Sequence, residues 1–293
     1  MHRSGFVNII GNPNVGKSTL MNALVGEKLS IITSKAQTTR HRIMGIVSGE
    51  DFQIVYSDTP GILKPSYKLQ ESMMKFVTGA LTDADVILYV TDTVEQSERS
   101  AEIVDSIRRS GIPTVVVINK IDLSSPEALE ALVDKWQAEI PGAQVVPTSA
   151  KENFNIEGLF RTILSLLPEG PAFYPKDTLT DKTLRFFASE IIREKILKFY
   201  DKEIPYCCEI EIESYKEEPT IDRIAATIYV ARDSQKGILI GHKGEKLKRV
   251  GQTAREDMEQ FLGKKVFLQL FVKVSDDWRN NERQLRRFGY EQE

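Results

Sequence analysis

The stretch GNPNVGKST, from Gly11 to Thr19, constrains the fold of this chain more than any other part of the sequence. It matches the pattern G-x-x-x-x-G-K-[ST], and it lies between a strand-like segment, FVNII, and a helical segment, KSTLMNALVG. Such a loop surrounds phosphate groups with backbone N–H groups at the start of a helix, while its lysine offers positive charge and its serine offers a hydroxyl to Mg²⁺. We therefore predict a nucleotide site built from Gly11, Asn12, Pro13, Asn14, Val15, Gly16, Lys17, Ser18 and Thr19.

Strand-like and helix-like segments alternate from FVNII to NIEGLFRTILSLLP. This alternation predicts an α/β domain with a mostly parallel, doubly wound sheet, whose functional loops lie at the carboxyl ends of the strands. After Leu167 the run PEGPAFYPKDTLTD lacks periodicity and is rich in proline, as in an interdomain linker. The segments that follow run helix, strand, strand, helix, turn, helix, strand, which predicts a second, α+β domain. We expect a first domain at residues 1–170, a linker at 171–183, a second domain at 184–278 and a basic C-terminal helix or tail at 279–293.

Three later motifs each follow a strand-like segment: DTPG at 58–61, NKID at 119–122 and SAK at 149–151. The carboxylate of Asp58 suits the Mg²⁺ shell, and the backbone N–H of Gly61 can reach a γ-phosphate. The carboxylate of Asp122 can accept hydrogen bonds from N1 and N2 of guanine, which adenine cannot supply. These motifs predict a guanine nucleotide, bound also by Asp58, Thr59, Pro60, Gly61, Asn119, Lys120, Asp122, Ser149, Ala150 and Lys151.

A second glycine turn, GHKG at 241–244, follows the apolar GILI and precedes a lysine-rich helix. The net charge of −3 argues against a general polycation, but six basic and two acidic residues lie between Arg232 and Arg249. A G-x-x-G turn between two helices, in this order of elements, matches a type II KH domain, which binds RNA phosphates at the turn. We predict RNA contacts from Gly241, His242, Lys243, Gly244, Lys246 and Arg249, and none on the strand face that carries Glu209, Glu211 and Glu213.

The order of GNPNVGKS, DTPG, NKID and SAK resembles that of the translation-factor-like GTPases. With one such domain before a KH domain, and with QTTRHRI, DTPGI, KIDL, TSAK and ILIGHKG, the chain resembles the bacterial Era family. The resemblance implies a GTP-binding and GTP-hydrolysing RNA-binding switch that uses GTP, GDP and Mg²⁺. It further implies a monomer that assists 30S ribosomal subunit assembly and 16S rRNA 3′-end maturation. A cytoplasmic location with peripheral contact on the inner face of the cell membrane is also implied.

The family also carries a switch threonine on Mg²⁺, and the loop SKAQTTRHR offers Thr38 and Thr39, of which Thr39 is our prediction. The expected Mg²⁺ ligands are then Ser18, Thr39 and Asp58. Related GTPases with asparagine at the position of Asn14 resemble potassium-activated ones, so Asn14 is a candidate K⁺ ligand. We expect Lys17, Asn14 and Thr39 to carry catalysis.

Ile62 follows DTPG at the position where Ras-like GTPases place a glutamine that orients the attacking water. An isoleucine cannot orient water, so slow intrinsic turnover is expected. Two other classes of protein stay open: a metabolic P-loop ATPase or kinase, which NKID opposes, and an RNA-binding scaffold whose first domain binds GTP without productive cycling.

The cysteine pattern and the C-terminal segment bear on location. Cys207 and Cys208 are adjacent in a strand-like segment, where successive side chains point to opposite faces, so we expect no disulfide and a reducing compartment. The C-terminal DDWRNNERQLRRFGYEQE predicts a basic amphipathic helix. Such a helix either packs through Trp278 or supplies RNA or membrane contacts.

Overall fold

The computed structural model describes residues 1–94 and 101–290. These residues form two compact units. The first comprises Met1–Pro65 with Met73–Asp181, and the second comprises Ser66–Ser72 with the chain from Lys182 on.

The first unit is built around one sheet in the strand order β2-β3-β1-β4-β5-β6. Only β2 is antiparallel to its neighbour, so the predicted mostly parallel, doubly wound sheet is confirmed. Its elements, in chain order, are β1 (Arg3–Gly11), α1 (Lys17–Val25), β2 (Ile43–Ser48), β3 (Phe52–Asp58), α2 (Lys68–Thr82, whose first residues, 68–72, belong to the second unit), β4 (Val86–Asp92), α3 (Ala101–Ser110), β5 (Thr114–Asn119), α4 (Pro126–Glu139), β6 (Gln144–Pro147) and α5 (Ile156–Leu166).

Both faces of this sheet are covered by helices. Every residue of β4 and β5 is buried, which explains why VILYVTD and TVVVIN are nearly continuous apolar runs rather than alternating ones. Side chains of α2, α3 and α4, such as Val77, Val104 and Trp136, pack on one face, while α1 and α5 pack together on the other. The loops after the parallel strands therefore meet at one edge, where a ligand site of this fold forms.

The segment 171–183, predicted as a linker, is hydrogen-bonded to the sheet edge as far as Asp181. Ile46 N–H donates to the carbonyl of Leu179 at 2.8 Å, and Met44 N–H donates to Asp181 Oδ1 at 2.9 Å. Gln53 is fully buried, and its amide oxygen Oε1 accepts from the N–H groups of residues 173 and 174 at 2.7 and 2.9 Å. This segment therefore covers β2, an edge strand that sequence analysis missed. Sequence analysis also missed helix α2. The predicted domain boundaries themselves stay predictions.

The second unit has the predicted order of elements, with a short additional helix. Its strands have the order β7-β8-β9, with β7 antiparallel and β9 parallel to β8, and α6 and α9 pack on the sheet through an apolar core. Cys207 ends a helix instead of lying in a strand, and both cysteines are buried and outside any disulfide among the described residues. The elements are α6 (Leu184–Phe199), α7 (Ile204–Cys207), β7 (Glu209–Glu217), β8 (Ile221–Val230), α8 (Asp233–Ile240), α9 (Glu245–Leu262), β9 (Lys265–Val274) and α10 (Glu282–Arg287).

The C-terminal segment packs within the second unit. Trp278 is fully buried and its Nε1–H donates to the carbonyl of Cys207 at 2.9 Å; Leu285 and Tyr290 are buried as well. The helix predicted for residues 279–293 is limited to α10, and residues 291–293 lie outside the described part of the chain. The packing through Trp278 favours the structural alternative for this segment.

Candidate functional site

The phosphate-binding loop connects β1 to α1 and is held in place by its own lysine. Lys17 is buried, and its ammonium group donates to the carbonyls of Gly11 at 3.0 Å and Asn12 at 2.8 Å. Gly16 has φ 97°, and a Cβ there would lie 2.2 Å from Nδ2 of Asn119. Only glycine fits this position, because the backbone is left-handed and the approach is close. The loop thus holds its positive charge at the start of α1, where an anion is favoured.

Ser18, Thr39 and Asp58 form a cluster of oxygen atoms beside the loop. Ser18 Oγ donates to Asp58 Oδ2 at 2.7 Å, and Ser18 Oγ lies 2.8 Å from Thr39 Oγ1. Thr39 Oγ1 also donates to Asp58 Oδ2 at 3.3 Å. Asp58 Oδ1 is buried and has no hydrogen-bond partner among the described residues. Two hydroxyls and a carboxylate are ligands that suit Mg²⁺, so these residues fit that ion.

The geometry distinguishes the two candidate threonines of the loop at residues 26–42, which we call the switch loop. Thr38 Oγ1 lies 2.6 Å from Thr33 Oγ1 and donates to the carbonyl of Lys35 at 2.6 Å, within the loop itself. Thr39, in contrast, contacts Ser18 and is buried. The contacts therefore favour Thr39 as the switch threonine.

The DTPG turn closes against the phosphate-binding loop. Thr59 Oγ1 donates to the carbonyl of Ile9 at 2.7 Å, and a Cβ at Gly61 would lie 2.8 Å from the Cα of Pro13. Ile62 N–H donates to the carbonyl of Gly11 at 3.1 Å, and its side chain is buried in the apolar core. Ile62 therefore acts as a packing residue and offers no group to a water molecule.

The residues predicted to bind the guanine base are joined by hydrogen bonds. Asn119 Nδ2 donates to the carbonyl of Val15 at 2.8 Å, and Asn119 Oδ1 accepts from the N–H of Ala150 at 3.0 Å. Ser149 Oγ donates to Asp122 Oδ1 at 2.6 Å, which fixes the carboxylate that we expect to face the base. Asn119 thus connects the phosphate-binding loop to the SAK loop.

Lys120 has an acidic partner that sequence analysis missed. Its ammonium group donates to the carbonyl of Asn14 at 2.6 Å and to Asp92 Oδ2 at 2.6 Å. Asp92 is buried at the end of β4. The only signal in the sequence was its position at the end of an apolar strand. The bond to Asn14 involves the backbone; the K⁺ role of the Asn14 side chain stays a prediction.

A cavity of about 450 Å³ lies where these loops meet. Motif residues line it together with the switch loop, whose contribution beyond Thr38 and Thr39 was not predicted. The lining residues are Pro13, Asn14, Gly16, Lys17, Ser18, Thr19, Ile31, Ile32, Thr33, Ser34, Lys35, Gln37, Thr38, Thr39, Gly61, Lys120 and Lys151.

Asp58→Asn is expected to stabilise the nucleotide-free protein at pH 7 by about 0.5–2 kcal/mol, as replacements of strained active-site groups often do. Burial raises the pKa of the Asp58 carboxyl above its ordinary value of 3.8, against the opposing effects of the Ser18 hydroxyl and the Lys17 ammonium. A carboxyl whose pKa is raised on folding contributes stability at pH values below its unfolded pKa and loses it as the pH rises through the folded pKa. At pH 7, above the ordinary pKa of the carboxyl, Asp58 therefore lowers the free energy of unfolding relative to acid pH, and asparagine, which does not titrate, removes this cost.

Thermal unfolding without nucleotide, from about pH 4, near the ordinary carboxyl pKa of 3.8, up to pH 8, measures this effect, with Asp51→Asn, at an exposed position, as the control. The difference between wild type and Asp58→Asn is expected to shrink as the pH falls. The variant is also expected to lose the Mg²⁺ dependence of GTP binding. A stability difference that does not change with pH would contradict the role given to the buried charge.

The GHKG turn of the second unit lies between α8 and α9. Gly241, Lys243 and Gly244 have positive φ values of 73°, 48° and 78°, and His242 and Lys243 are exposed. The turn therefore exposes its backbone and one cationic side chain, as phosphate binding requires.

A groove of about 500 Å³ runs beside this turn between α9 and β9. Its walls combine leucines with the cationic side chains of Lys248 and Arg255, which suits bases on an apolar surface and phosphates at its rim. Sequence analysis predicted only the turn at its end; the lining residues are Gly244, Leu247, Lys248, Gly251, Gln252, Arg255, Leu268 and Leu270.

Two predicted RNA contacts pack on aromatic side chains of the second unit. The ammonium group of Lys246 lies 5.9 Å from the ring centre of Tyr200, and the guanidinium of Arg249 lies 4.2 Å from that of Phe199. Both side chains remain exposed, so their contact with RNA stays a prediction.

Two of the three glutamates on the acidic strand face pair with cations of the same unit, and the third is bound by a tyrosine. Lys273 pairs with Glu213 at 2.8 Å, which lowers the pKa of that carboxyl together with the Thr227 hydroxyl, and Arg287 donates from Nε to Glu211 at 2.9 Å. Tyr290 Oη donates to the buried Glu209 at 2.5 Å. Residues distant in sequence therefore bind all three carboxylates, and the absence of RNA contacts on this face stays a prediction.

Gly251→Ala is expected to weaken RNA binding by about tenfold, because the new methyl group would enter the groove where a base stacks. The backbone does not require glycine, since Gly251 lies inside α9, and a Cβ there would lie 3.3 Å from Leu270 Cδ1. Alanine in a helix interior is more stable than glycine by about 0.5–1 kcal/mol, so the melting temperature should not fall.

RNA affinity and thermal unfolding, measured on the same samples, separate the two effects. Gly79→Ala in α2 is the matched control, because a Cβ there would meet nothing within 4 Å. Unchanged RNA affinity of Gly251→Ala would exclude Gly251 from the RNA contact.

Comparisons with known families agree with the two units. The family described as 50S ribosome-binding GTPase matches residues 6–120, and the KH domain family matches residues 203–279. Each family covers a part of the chain that carries one of the two candidate sites.

Full-length relatives and solved structures are also similar to this chain. GTPase Era of Staphylococcus haemolyticus is 45% identical over 291 residues, covering 99% of this chain and 97% of the relative. GTPase Era of Alkaliphilus metalliredigens is 45% identical over 293 residues and covers 99% of both chains. A solved structure of Era in complex with MgGDPNP and nucleotides 1506–1542 of 16S ribosomal RNA is 40% identical, covers 100% of both chains and has a TM-score of 0.95. A structure of an Aquifex aeolicus Era variant bound to GDP·AlF4⁻ is also 40% identical with a TM-score of 0.95, and covers 99% of this chain and 100% of the other.

Proposed function

The chain belongs to the Era family of GTPases, and from this premise we propose that it is a GTP-dependent RNA-binding switch that acts in ribosome assembly. As a member of this family it binds GTP and GDP with Mg²⁺, hydrolyses GTP and binds RNA through its KH domain. We further propose that its role lies in 30S subunit assembly and 16S rRNA 3′-end maturation.

The observation that carries the switch proposal is the contact among Ser18, Thr39 and Asp58. Each comes from a different segment: Ser18 from the phosphate-binding motif, Thr39 from the switch loop, and Asp58 from the end of β3, where DTPG begins. A hydroxyl of the switch loop at the Mg²⁺ position makes the order of that loop dependent on the γ-phosphate and its ion. The arrangement of the loop therefore distinguishes GTP from GDP.

Separate residues of the site bind the phosphates, position the base and hold the γ-phosphate side. Lys17 and the N–H groups of its loop bind the phosphates, while Asp122 and Asn119 position the base. Ser18, Thr39 and Asp58 would hold Mg²⁺, which would supply positive charge to offset the charge that develops on the phosphates. Thr39 and the Gly61 N–H hold the γ-phosphate side of the site. Because Ile62 is buried and apolar, no side chain from this position orients water, so intrinsic hydrolysis is expected to be slow.

The RNA side of the proposal is supported by the GHKG turn and the groove beside it. The similar Era structure was solved with nucleotides 1506–1542 of 16S ribosomal RNA, and we propose that this chain binds the same 3′ region. In the described residues, no helix is long and apolar enough to cross a bilayer. A monomeric state, a cytoplasmic location and peripheral contact with the inner face of the membrane are proposals that rest on the family alone.

The affinity for a single-stranded RNA copying the 16S rRNA 3′ end tests the switch. It should be measured at one fixed salt concentration with a non-hydrolysable GTP analogue and again with GDP. Tighter binding with the GTP analogue is expected, and linkage then requires RNA to favour GTP over GDP by the same factor. Equal affinities would mean that the two sites are independent.

The buried Ile62 favours one alternative, an RNA-binding scaffold whose GTPase domain binds GTP without productive cycling. Single-turnover hydrolysis, measured with and without the RNA, distinguishes the two functions. Hydrolysis that is undetectable under both conditions would support the scaffold.

A further inference from the structure

A cluster outside the predicted motifs surrounds Arg42, the last residue of the switch loop. Its guanidinium donates to both carboxylate oxygens of Asp83, at 2.6 and 3.0 Å. Arg42 Nε also donates to Ser57 Oγ at 2.5 Å, and Nη2 donates to Asn8 Oδ1 at 3.2 Å. A two-pronged bond between arginine and a carboxylate is strong and directional. Arg42 therefore fixes the end of the switch loop to three other segments of the first unit.

The partners of Arg42 are themselves held in place. Asn8 and Ser57 are fully buried and lie opposite each other in the neighbouring strands β1 and β3. Asn8 Nδ2 donates to the carbonyl of Ala80 at 2.6 Å and to Asp83 Oδ1 at 2.7 Å. The Arg42 side chain is only 14% exposed, so water competes little for its bonds to Ser57 and Asn8, whereas Asp83 is 49% exposed. The cluster is thus a rigid anchor in the first unit.

Two connections, one along the chain and one through β3, place this anchor close to Thr39. Thr39 precedes Arg42 by three residues, which span at most about 10 Å. Ser57, which accepts from Arg42, directly precedes Asp58, which accepts from Thr39. Ile43, the next residue after Arg42, begins β2 opposite Asp58. Thr39 is therefore joined to this anchor by only two intervening residues, 40 and 41.

We propose that Arg42 is a positioning residue that holds the switch loop so that Thr39 meets the Mg²⁺ site in the GTP state. Arg42 acts through Thr39, since the cavity lining includes Thr39 but not Arg42. The inference rests on the proposed function, in which Thr39 joins the site with GTP and leaves it with GDP. Loss of the anchor should therefore weaken the binding of GTP selectively.

A double-mutant cycle tests the proposal on the full chain. Affinities for a non-hydrolysable GTP analogue and for GDP, both with Mg²⁺, are measured for wild type, Arg42→Ala, Thr39→Ala and the double variant. Arg42→Ala is expected to weaken analogue binding by about tenfold, the effect of one charged hydrogen bond, and to leave GDP binding within about threefold. In the Thr39→Ala background, Arg42→Ala should have no further effect.

The controls separate positioning from folding. Arg108→Ala removes an arginine of the first unit that also pairs with carboxylates, Asp105 and Glu139, and should change neither affinity. If Arg42→Ala fails to fold, Arg42→Lys replaces it; lysine keeps the charge but cannot form the two-pronged bond, so the same selective loss is expected.

Two outcomes overturn the inference. Additive effects of Arg42→Ala and Thr39→Ala, or equal losses for the GTP analogue and GDP, would show that Arg42 supports the fold rather than Thr39. Wild-type analogue affinity in Thr39→Ala would instead remove Thr39 from the site, and the proposed switch would fail together with the role of Arg42.

Discussion

Asp122→Asn is expected to lower the affinity for GTP by about 10²- to 10⁴-fold, because two hydrogen bonds to a charged acceptor are lost. The Asp122 carboxylate accepts from Ser149 Oγ at 2.6 Å, which leaves its other lone pairs for the N1 and N2 donors of guanine. An asparagine amide would direct N–H groups at those donors, so the loss includes repulsion. Xanthine carries an oxygen acceptor in place of the guanine amino group, so the same variant should bind xanthosine triphosphate better than GTP.

Competition between GTP and xanthosine triphosphate for wild type and variant measures this reversal. Asp134→Asn, at an exposed position of α4, makes the same chemical change away from the site and should leave the preference for GTP unchanged. If Asp122→Asn kept its preference for GTP, the base would have to be recognised by another group. The assignment of NKID as the guanine-binding motif would then be wrong.

The nucleotide motifs could be predicted from the sequence because each is contiguous and follows an apolar strand. A parallel sheet brings the carboxyl ends of its strands to one edge, so four motifs in four separate segments were expected to meet. The bonds of Asn119 to Val15 and Ala150, and of Ile62 N–H after DTPG to the carbonyl of Gly11, show that they do.

The residues that support these motifs could not be predicted, because their partners are distant in sequence. Asp92 meets Lys120 across 28 positions, and Arg42 meets Asp83 across 41. A charged residue in a loop is most often solvated, and nothing local distinguishes Arg42 from its neighbours in QTTRHRI. Only the packing of β1 beside β3 brings its partners together.

Strand β2 was missed for the same reason, because it pairs with residues distant in sequence. Strand β2 is short and contains Gly45, which weakens the strand pattern. Its stability comes from β3 on one side and from residues 179–181 on the other. A segment whose pairing is entirely non-local carries little signal of its own.

In the second unit, sequence analysis predicted the turn but not the residues that line the groove beside it. G-x-x-G is a local pattern, whereas the groove needs α9 and β9 side by side. The glutamates of β7 were correctly placed on one face, but the cations that neutralise them, Lys273 and Arg287, come from β9 and α10. The charge of this face therefore depends on residues that the sequence of one strand does not contain.

The double substitution His242→Asp and Lys243→Asp is expected to lower RNA affinity by at least about 100-fold while GTP hydrolysis without RNA stays at the wild-type level. It replaces the exposed middle of the GHKG turn with two carboxylates where phosphates are expected, so attraction becomes repulsion. Both flanking glycines are kept. Lys243 has a φ of 48°, a conformation that aspartate tolerates better than most residues.

A matched control separates this local effect from net charge. Lys216→Asp with Thr220→Asp makes the same change in charge at exposed positions of the β7–β8 hairpin, with Lys216 near the end of β7, and should change RNA affinity by less than about threefold at moderate salt. Filter binding or fluorescence anisotropy at two salt concentrations measures both variants. The turn variant should also show a smaller salt dependence, because fewer phosphates are neutralised. Equal losses of RNA affinity in the two double variants would mean that binding depends on the overall charge of the domain. The GHKG turn would then not be the phosphate-binding site.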